Sequence, residues 1–196
     1  MTKRPILFNG DMVRAILDGR KTQTRRVVKE IPALGQPDEW CKRAGTSEFE
    51  SIVGSASRYC PYGVPGDRLW VRETWQETRP FTGNIEHDIQ STHAMYYADD
   101  NVRYRDKDKW RPSIHMPRKY SRITLEVTGV RVERVQDISE ADAKAEGVRD
   151  PICDCGDCID CTYIGMFQDV WREIHGYDAW DKNPWVWVIE FKEPKP

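Results

Sequence analysis

Ile123-Thr124-Leu125-Glu126-Val127-Thr128-Gly129-Val130-Arg131-Val132-Glu133-Arg134-Val135 is the stretch whose period decides the fold class. Apolar residues at 123, 125 and 127, and again at 130 and 132, alternate with polar ones, which is the pattern of a strand with one buried face. The phase slips at Gly129, so the segment reads either as one long bent strand or as a hairpin with Gly129 at the bend. Earlier in the chain, Arg68-Leu69-Trp70-Val71-Arg72 repeats the alternation directly after a Pro65-Gly66 turn. Later, Trp185-Val186-Trp187-Val188-Ile189-Glu190-Phe191 is apolar at nearly every position, as expected of a central strand covered on both faces.

Three helices fit between these strands. Residues 10–18 place Met12, Val13, Ile16 and Leu17 on one face and stop at Gly19. Ser139-Glu140-Ala141-Asp142 is a capping start for a helix over 139–146 that Gly147 ends. Residues 163–174 carry Met166, Phe167, Val170, Trp171 and Ile174 on an apolar face. Antiparallel-type alternation with short helices between strands predicts an α+β fold built on a small β-barrel. The polar, Gly- and Pro-containing stretches at about 30–64 and 76–117, and a cysteine-rich one at 150–162, read as long loop insertions into a single domain spanning 1–196. The prolines at 112 and 117 argue against regular structure at the end of the second insertion.

Composition narrows the function. With 30 Lys and Arg against 32 Asp and Glu, the net charge is -2. A protein that grips a polyanion with its whole surface is basic, so any nucleic-acid contact has to come from a local patch or from recognition of a single nucleoside. No apolar run reaches membrane-spanning length and no signal-peptide core follows Met1-Thr2-Lys3-Arg4-Pro5, so a cytoplasmic protein without a membrane partner is expected. In that compartment, six cysteines point to metal or free thiols before disulfides.

The densest chemistry lies where the first helix ends. Arg20-Lys21-Thr22-Gln23-Thr24-Arg25-Arg26 packs four cations... Lys21 with Arg20, Arg25 and Arg26... and two hydroxyls into seven residues. Such a run suits a solvated loop complementing a helix C-terminus, and it equally suits a site that binds a polar ligand.

Ile16-Leu17-Asp18-Gly19-Arg20-Lys21-Thr22-Gln23-Thr24-Arg25 resembles the signature of the ASCH domain family, relatives of the PUA domain. Pro65-Gly66-Asp67-Arg68-Leu69-Trp70-Val71-Arg72 resembles that family's turn and following strand, and Ile138–Gly147 its capped helix; these segments occur in the family's order and, with the strand at 185–191, cover about half of the chain. The wider pattern, including Trp110–Pro117, is similar to phage and prophage proteins. The resemblance implies a PUA-like barrel. It also implies an amidohydrolase that removes an acyl group from the N4 amine of cytidine or cytosine derivatives. The family's catalytic Lys, Thr and Glu fall on Lys21, Thr24 and Glu146, with no catalytic cofactor. Arg20, Thr22, Arg25, Arg26 and Glu73 are assigned with them to substrate binding. A nucleoside or nucleobase is the implied partner, and RNA remains open as another. A non-enzymatic base reader and an accessory phage protein working through protein contacts are the other readings of the same motif. The chemistry demands a neutral lysine to deprotonate a hydroxyl or water. The neighbouring arginines lower its pKa and a nearby Glu146 raises it, and sequence leaves that contest open.

Cys153-Asp154-Cys155-Gly156-Asp157-Cys158-Ile159-Asp160-Cys161 places four soft ligands within nine residues, which predicts a structural zinc on Cys153, Cys155, Cys158 and Cys161, with Cys60 or Cys41 as a substitute ligand; free thiols or a redox pair are the alternative. Arg111, Arg118, Lys119 and Arg122 form a second local basic set, read as a solvated rim or a phosphate contact.

Overall fold

The computed structural model describes residues 1–29, 59–78, 93–99, 110–150 and 162–194. Its elements run β1 (Lys3–Leu7), α1 (Gly10–Leu17), β2 (Gln23–Val27), β3 (Arg68–Arg72), β4 (Trp75–Thr78), β5 (His93–Tyr96), β6 (Thr124–Arg134), α2 (Glu140–Ala145), α3 (Tyr163–His175) and β7 (Trp185–Lys192). This is an α+β architecture. Five strands form one sheet in the order β1-β3-β6-β7-β2, and β4 pairs with β5 in a separate two-stranded sheet. β1 runs parallel to β3; the other neighbours in the large sheet are antiparallel.

Each helix starts on the side chain its sequence offers. Asn9 accepts from the Met12 backbone N–H at 2.8 Å, Ser139 from Asp142 at 3.1 Å and Thr162 from Gly165 at 3.0 Å. Each cap satisfies a donor that the first helical turn leaves without a partner.

β6 is one continuous strand. Its register against β7 shifts between Val127 and Gly129, so the extra residue is absorbed as an irregularity in the ladder and the chain does not turn back into a hairpin. β7 lies between β6 and β2 and separates two cores. Trp187, Ile189 and Phe191 pack with Ile6, Leu69, Val71, Leu125 and Val127 on one side. Val186 and Val188 pack with Val135, Ile138, Ala143, Phe167 and Trp171 on the other. Continuous apolarity is what a strand needs when successive side chains enter two different cores.

The two edge strands come together. In a flat five-stranded sheet β1 and β2 would lie about 19 Å apart, four spacings of about 4.8 Å. Yet Arg26 of β2 donates from Nη2 to the Leu7 carbonyl of β1 at 2.6 Å. The sheet therefore curls toward closure, and a side chain bridges the seam; no backbone ladder joins β1 to β2 among the described residues.

Three segments depart from the sequence expectation, the first being β1, a parallel edge strand that no sequence cue gave. The insertion at about 76–117 reads as loop, but β4 and β5 pair from Trp75↔Tyr96 to Thr78↔His93, and Trp75 also bridges to Arg111. Four-residue strands carry too little alternation to show a period, and their partner lies beyond a long intervening stretch. Arg20–Arg26 was read as a loop, but Gln23–Val27 is an edge strand on β7. Its run of polar residues conceals it, because the face it buries is satisfied by charge. Much of the three expected insertions, with Cys41, Cys153, Cys155, Cys158 and Cys161, lies outside the described residues. Among the described residues no group of three or more His, Cys, Asp or Glu could hold a metal ion, and no helix is long and apolar enough to cross a membrane.

Gly147 shows how tightly α2 is set against the rest. Its φ is +80°, and a Cβ there would lie 2.7 Å from the Lys21 Cβ and 2.8 Å from the Ala15 Cβ. Gly147→Ala should lower stability by about 2 kcal/mol or more, from a strained backbone and an overfilled contact. Thermal unfolding of the variant should occur about 5 °C lower.

Candidate functional site

The site is built by a chain reversal at the end of α1. Gly19, at φ +72°, lets the backbone turn sharply. The N–H groups of Arg20 and Lys21 then both reach the Ala15 carbonyl at 2.9 Å. Thr22 donates to the Ala145 carbonyl at 2.9 Å and accepts from Phe191 at 2.8 Å. Residues 20–22 are thus fastened to α1, α2 and β7 at once, which fixes where the Lys21 side chain starts.

That side chain ends in a buried ion pair. Lys21 Nζ donates to Glu146 Oε2 at 2.8 Å and to the Glu146 carbonyl at 2.7 Å. The Lys21 side chain is 1% exposed and that of Glu146 4%. Arg25 Nη1 takes the other carboxylate oxygen, Oε1, at 3.0 Å. Arg25 Nε also donates to Glu133 Oε1 at 3.1 Å, with Asp142 at 3.6 Å. Arg131 joins Glu133 at 3.0 Å to Asp142 at 3.1 Å, and it contacts Glu190 as well. Glu146 caps the C-terminal end of α2, where the helix dipole disfavours a carboxylate. Two cations aimed at its two oxygens reverse that balance.

Burial drives the Lys21 ammonium below its ordinary value. Glu146 pulls in the opposite direction, and Arg26 and Arg25 add to the lowering, so the net direction is down. The contest that the sequence leaves open is decided by desolvation.

Lys21 and Glu146 border a cleft of about 190 Å³. Asn9, Asp11 and Met12 from the start of α1, Gly147, Val148 and Arg149 after α2, and Met166, Phe167, Val170 and Glu173 from α3 complete its walls. It has one apolar wall, a buried ion pair and a few exposed polar groups. Its volume is below the 300 Å³ or so at which drug-sized ligands are housed, so it suits a small group and not a folded polymer.

The structure brings together only part of the expected site. Lys21 and Glu146 line the cleft; Thr24 does not. Thr24 is buried on β2 opposite Ile189, on the alternate face from Arg25, and makes no hydrogen bond to Lys21 or Glu146. The five residues assigned to substrate binding also lie outside the cleft lining. Arg20 bonds Asp18 and the Gly147 carbonyl. Thr22 is exposed. Arg25, with 0% side-chain exposure, is committed to carboxylates, and Arg26 lies over the Phe8 ring at 5.3 Å. Glu73 is held by Arg122 through two hydrogen bonds of 3.0 Å. A basic motif looks like a ligand grip when its acidic partners are over a hundred residues away in sequence. Glu133 and Asp142 were missed for that reason, as were the α3 wall residues, which read simply as an amphipathic face.

No family model matches the chain, and no curated protein matches it by sequence. Among solved structures it is similar to the ASCH domain from Lactobacillus crispatus JV V101, at 13% identity and a TM-score of 0.42, over 98% of this chain and 79% of that one.

The folded Lys21 holds its proton less firmly than the unfolded chain. Between its lowered folded-state pKa and 10.5 the unfolded state binds more protons, so stability rises with pH across that window and is lost as pH falls through it. Lys21→Met should flatten this rise, measured as the unfolding free energy in urea from about pH 7 to the lysine's ordinary range.

Proposed function

We propose that this protein is an amide hydrolase of the ASCH type, which removes an acyl group from the N4 amine of a cytosine derivative. The observation that carries the reading is Lys21: a lysine lowered by burial, paired with Glu146, at the wall of a cleft sized for a small group. The resemblance of Gly19–Arg25 and Ile138–Gly147 to the ASCH signature supplies the substrate class.

Neutral Lys21 takes a proton from a water molecule as that water attacks the acyl carbon. The carbonyl π pair moves onto oxygen. When the tetrahedral intermediate collapses, the C–N bond breaks and Lys21 ammonium returns the proton to the leaving amine, giving a carboxylic acid and a free amine. Glu146 orients the lysine and stabilises its charged form in mid-reaction. Water is the nucleophile in this scheme because Thr24 stands outside the cleft lining. Thr24 supports the β2–β7 contact beside the lysine.

The test is hydrolysis of N4-acetylcytidine, followed by its ultraviolet shift. Lys21→Ala should lower kcat/KM by about 100-fold or more, the usual worth of a general base. Glu146→Gln should reduce kcat more than it raises KM. Thr24→Ala should keep more activity than Lys21→Ala. The acid limb of the pH profile should fall below the ordinary lysine value of 10.5. Absence of hydrolysis of any N4-acylated cytosine by the wild-type protein removes this reading.

We further propose that the cysteine run at 153–161 holds one structural zinc. Four thiolates satisfy a closed tetrahedral site. Elemental analysis of protein purified without chelator should find about one zinc per chain, and none if the thiols are free.

A further inference from the structure

α3 lends the cleft a graded stripe. Met166, Val170 and Glu173 line it at positions i, i+4 and i+7, the spacing that keeps side chains on one helical face. Along the helix the stripe passes from a thioether to a branched alkyl group to a carboxylate. Met166 and Val170 are half-buried, and Glu173 is exposed. Met12 of α1, also half-buried, extends the apolar part, while Asn9 is exposed like Glu173.

The apolar part and the ion pair share one frame. Glu140, which opens α2, accepts from the backbone N–H of Tyr163, which opens α3, at 2.9 Å. Glu146 caps the other end of the same α2. Phe167, next to Met166, is buried with its ring centroid 5.9 Å from that of Trp171 and 6.3 Å from that of Trp180. The Arg25 guanidinium lies 5.8 Å from the same ring. The position of the stripe relative to Lys21 is therefore set by helix packing. Lys21 Nζ donates twice to Glu146, which leaves the third of its three hydrogen-bonding directions for a ligand.

We propose that this stripe is an acyl pocket: Met12, Met166 and Val170 seat an aliphatic acyl chain longer than acetyl, of about four to six carbons, and set which N4-acyl group is removed. The proposal rests on the hydrolase reading. At about 30 Å³ for each water-sized group, a cleft of about 190 Å³ takes about six heavy atoms. An acetyl group fills about half of it, and the lining left bare forfeits dispersion contacts that a longer chain recovers. The cytosine ring suits the stripe less well, because its N3 and O2 acceptors would face alkyl groups and thioethers, and a buried acceptor without a donor is costly. Asn9 caps α1 with its side-chain oxygen, so its amide N–H groups are left for those acceptors in the exposed part of the lining. Two methionines suit chains of differing length, since an unbranched thioether refits to its neighbour.

The experiment compares kcat/KM for N4-acetyl-, N4-butanoyl- and N4-hexanoylcytidine. Butanoyl should exceed acetyl by about ten-fold, from two methylenes worth about four-fold each. Val170→Phe, which fills the stripe, should cut the hexanoyl-to-acetyl ratio by about ten-fold or more, and Met166→Ala, which enlarges it, should raise that ratio. Each ratio is internal to one variant, so a general loss of stability or of lysine function does not move it. If Val170→Phe fails to fold, Met166→Ala, which only removes atoms, decides. A second measurement reads the pocket without catalysis: hexanamide should raise the unfolding temperature of the wild-type protein more than acetamide does, and Val170→Phe should remove the difference. That pattern without hydrolysis of any N4-acylcytidine supports the pocket and removes the hydrolase reading. Hydrolysis fastest with acetyl, ratios indifferent to both substitutions, or amide binding independent of chain length overturns the pocket and leaves the hydrolase reading standing.

Discussion

The carboxylate of Glu146 sits at the C-terminal end of α2, out of water, and the structure around it depends on two cations reaching it. A buried carboxylate without partners costs several kcal/mol, and removing one member of a buried pair typically costs about 3–5 kcal/mol. Lys21 and Arg25 come from the same seven-residue segment, and each takes one oxygen. To deliver both, the segment must leave α1 sharply, pass beneath α2 as irregular backbone at Lys21, and become a strand by Gln23. Gly19 permits the first step, the Thr22 hydrogen bonds fix the second, and the β7 ladder enforces the third. The ion pair is therefore less a source of stability than a specification of geometry: it allows α2 only one docking position.

This sharing also bears on the lysine's proton, where burial is the leading cause of its lowering and Glu146 opposes it. Arg25 draws on the same carboxylate and adds its own positive field, while Glu133 and Asp142 keep Arg25 in place. The result is a lysine positioned by hydrogen bonds yet lowered by burial. Both are what the proposed reaction asks of its base, which must accept a proton and then give it back.

Much of the sheet was legible in the sequence because its cues are local. Alternation at 123–135, the capping residue Ser139, and the doubly apolar β7 each act within one element. The helices and the three long strands fall within one or two residues of where those cues place them. The site was legible only where a motif carried it. Lys21 and Glu146 lie together, but Arg25 was read as a substrate grip because its partners Glu133 and Asp142 are brought in by topology. β2 was hidden for the same reason: a strand whose buried positions are Gln23, Thr24 and Arg25 has no hydrophobic period. Glu73, just after β3, is likewise held by Arg122, which lies two residues before β6.

The cleft and the outer sheet face meet along β1. Leu7 is exposed on the outer face beside Arg72. Phe8, the next residue, turns inward beneath Lys21 and Arg26, with its ring 5.7 Å from Lys21 Nζ. Asn9 then caps α1 and forms part of the cleft wall. Three consecutive residues thus belong to the outer surface, the core and the cleft in turn, and Leu7 and Asn9 are separated by at most about 7 Å of extended chain.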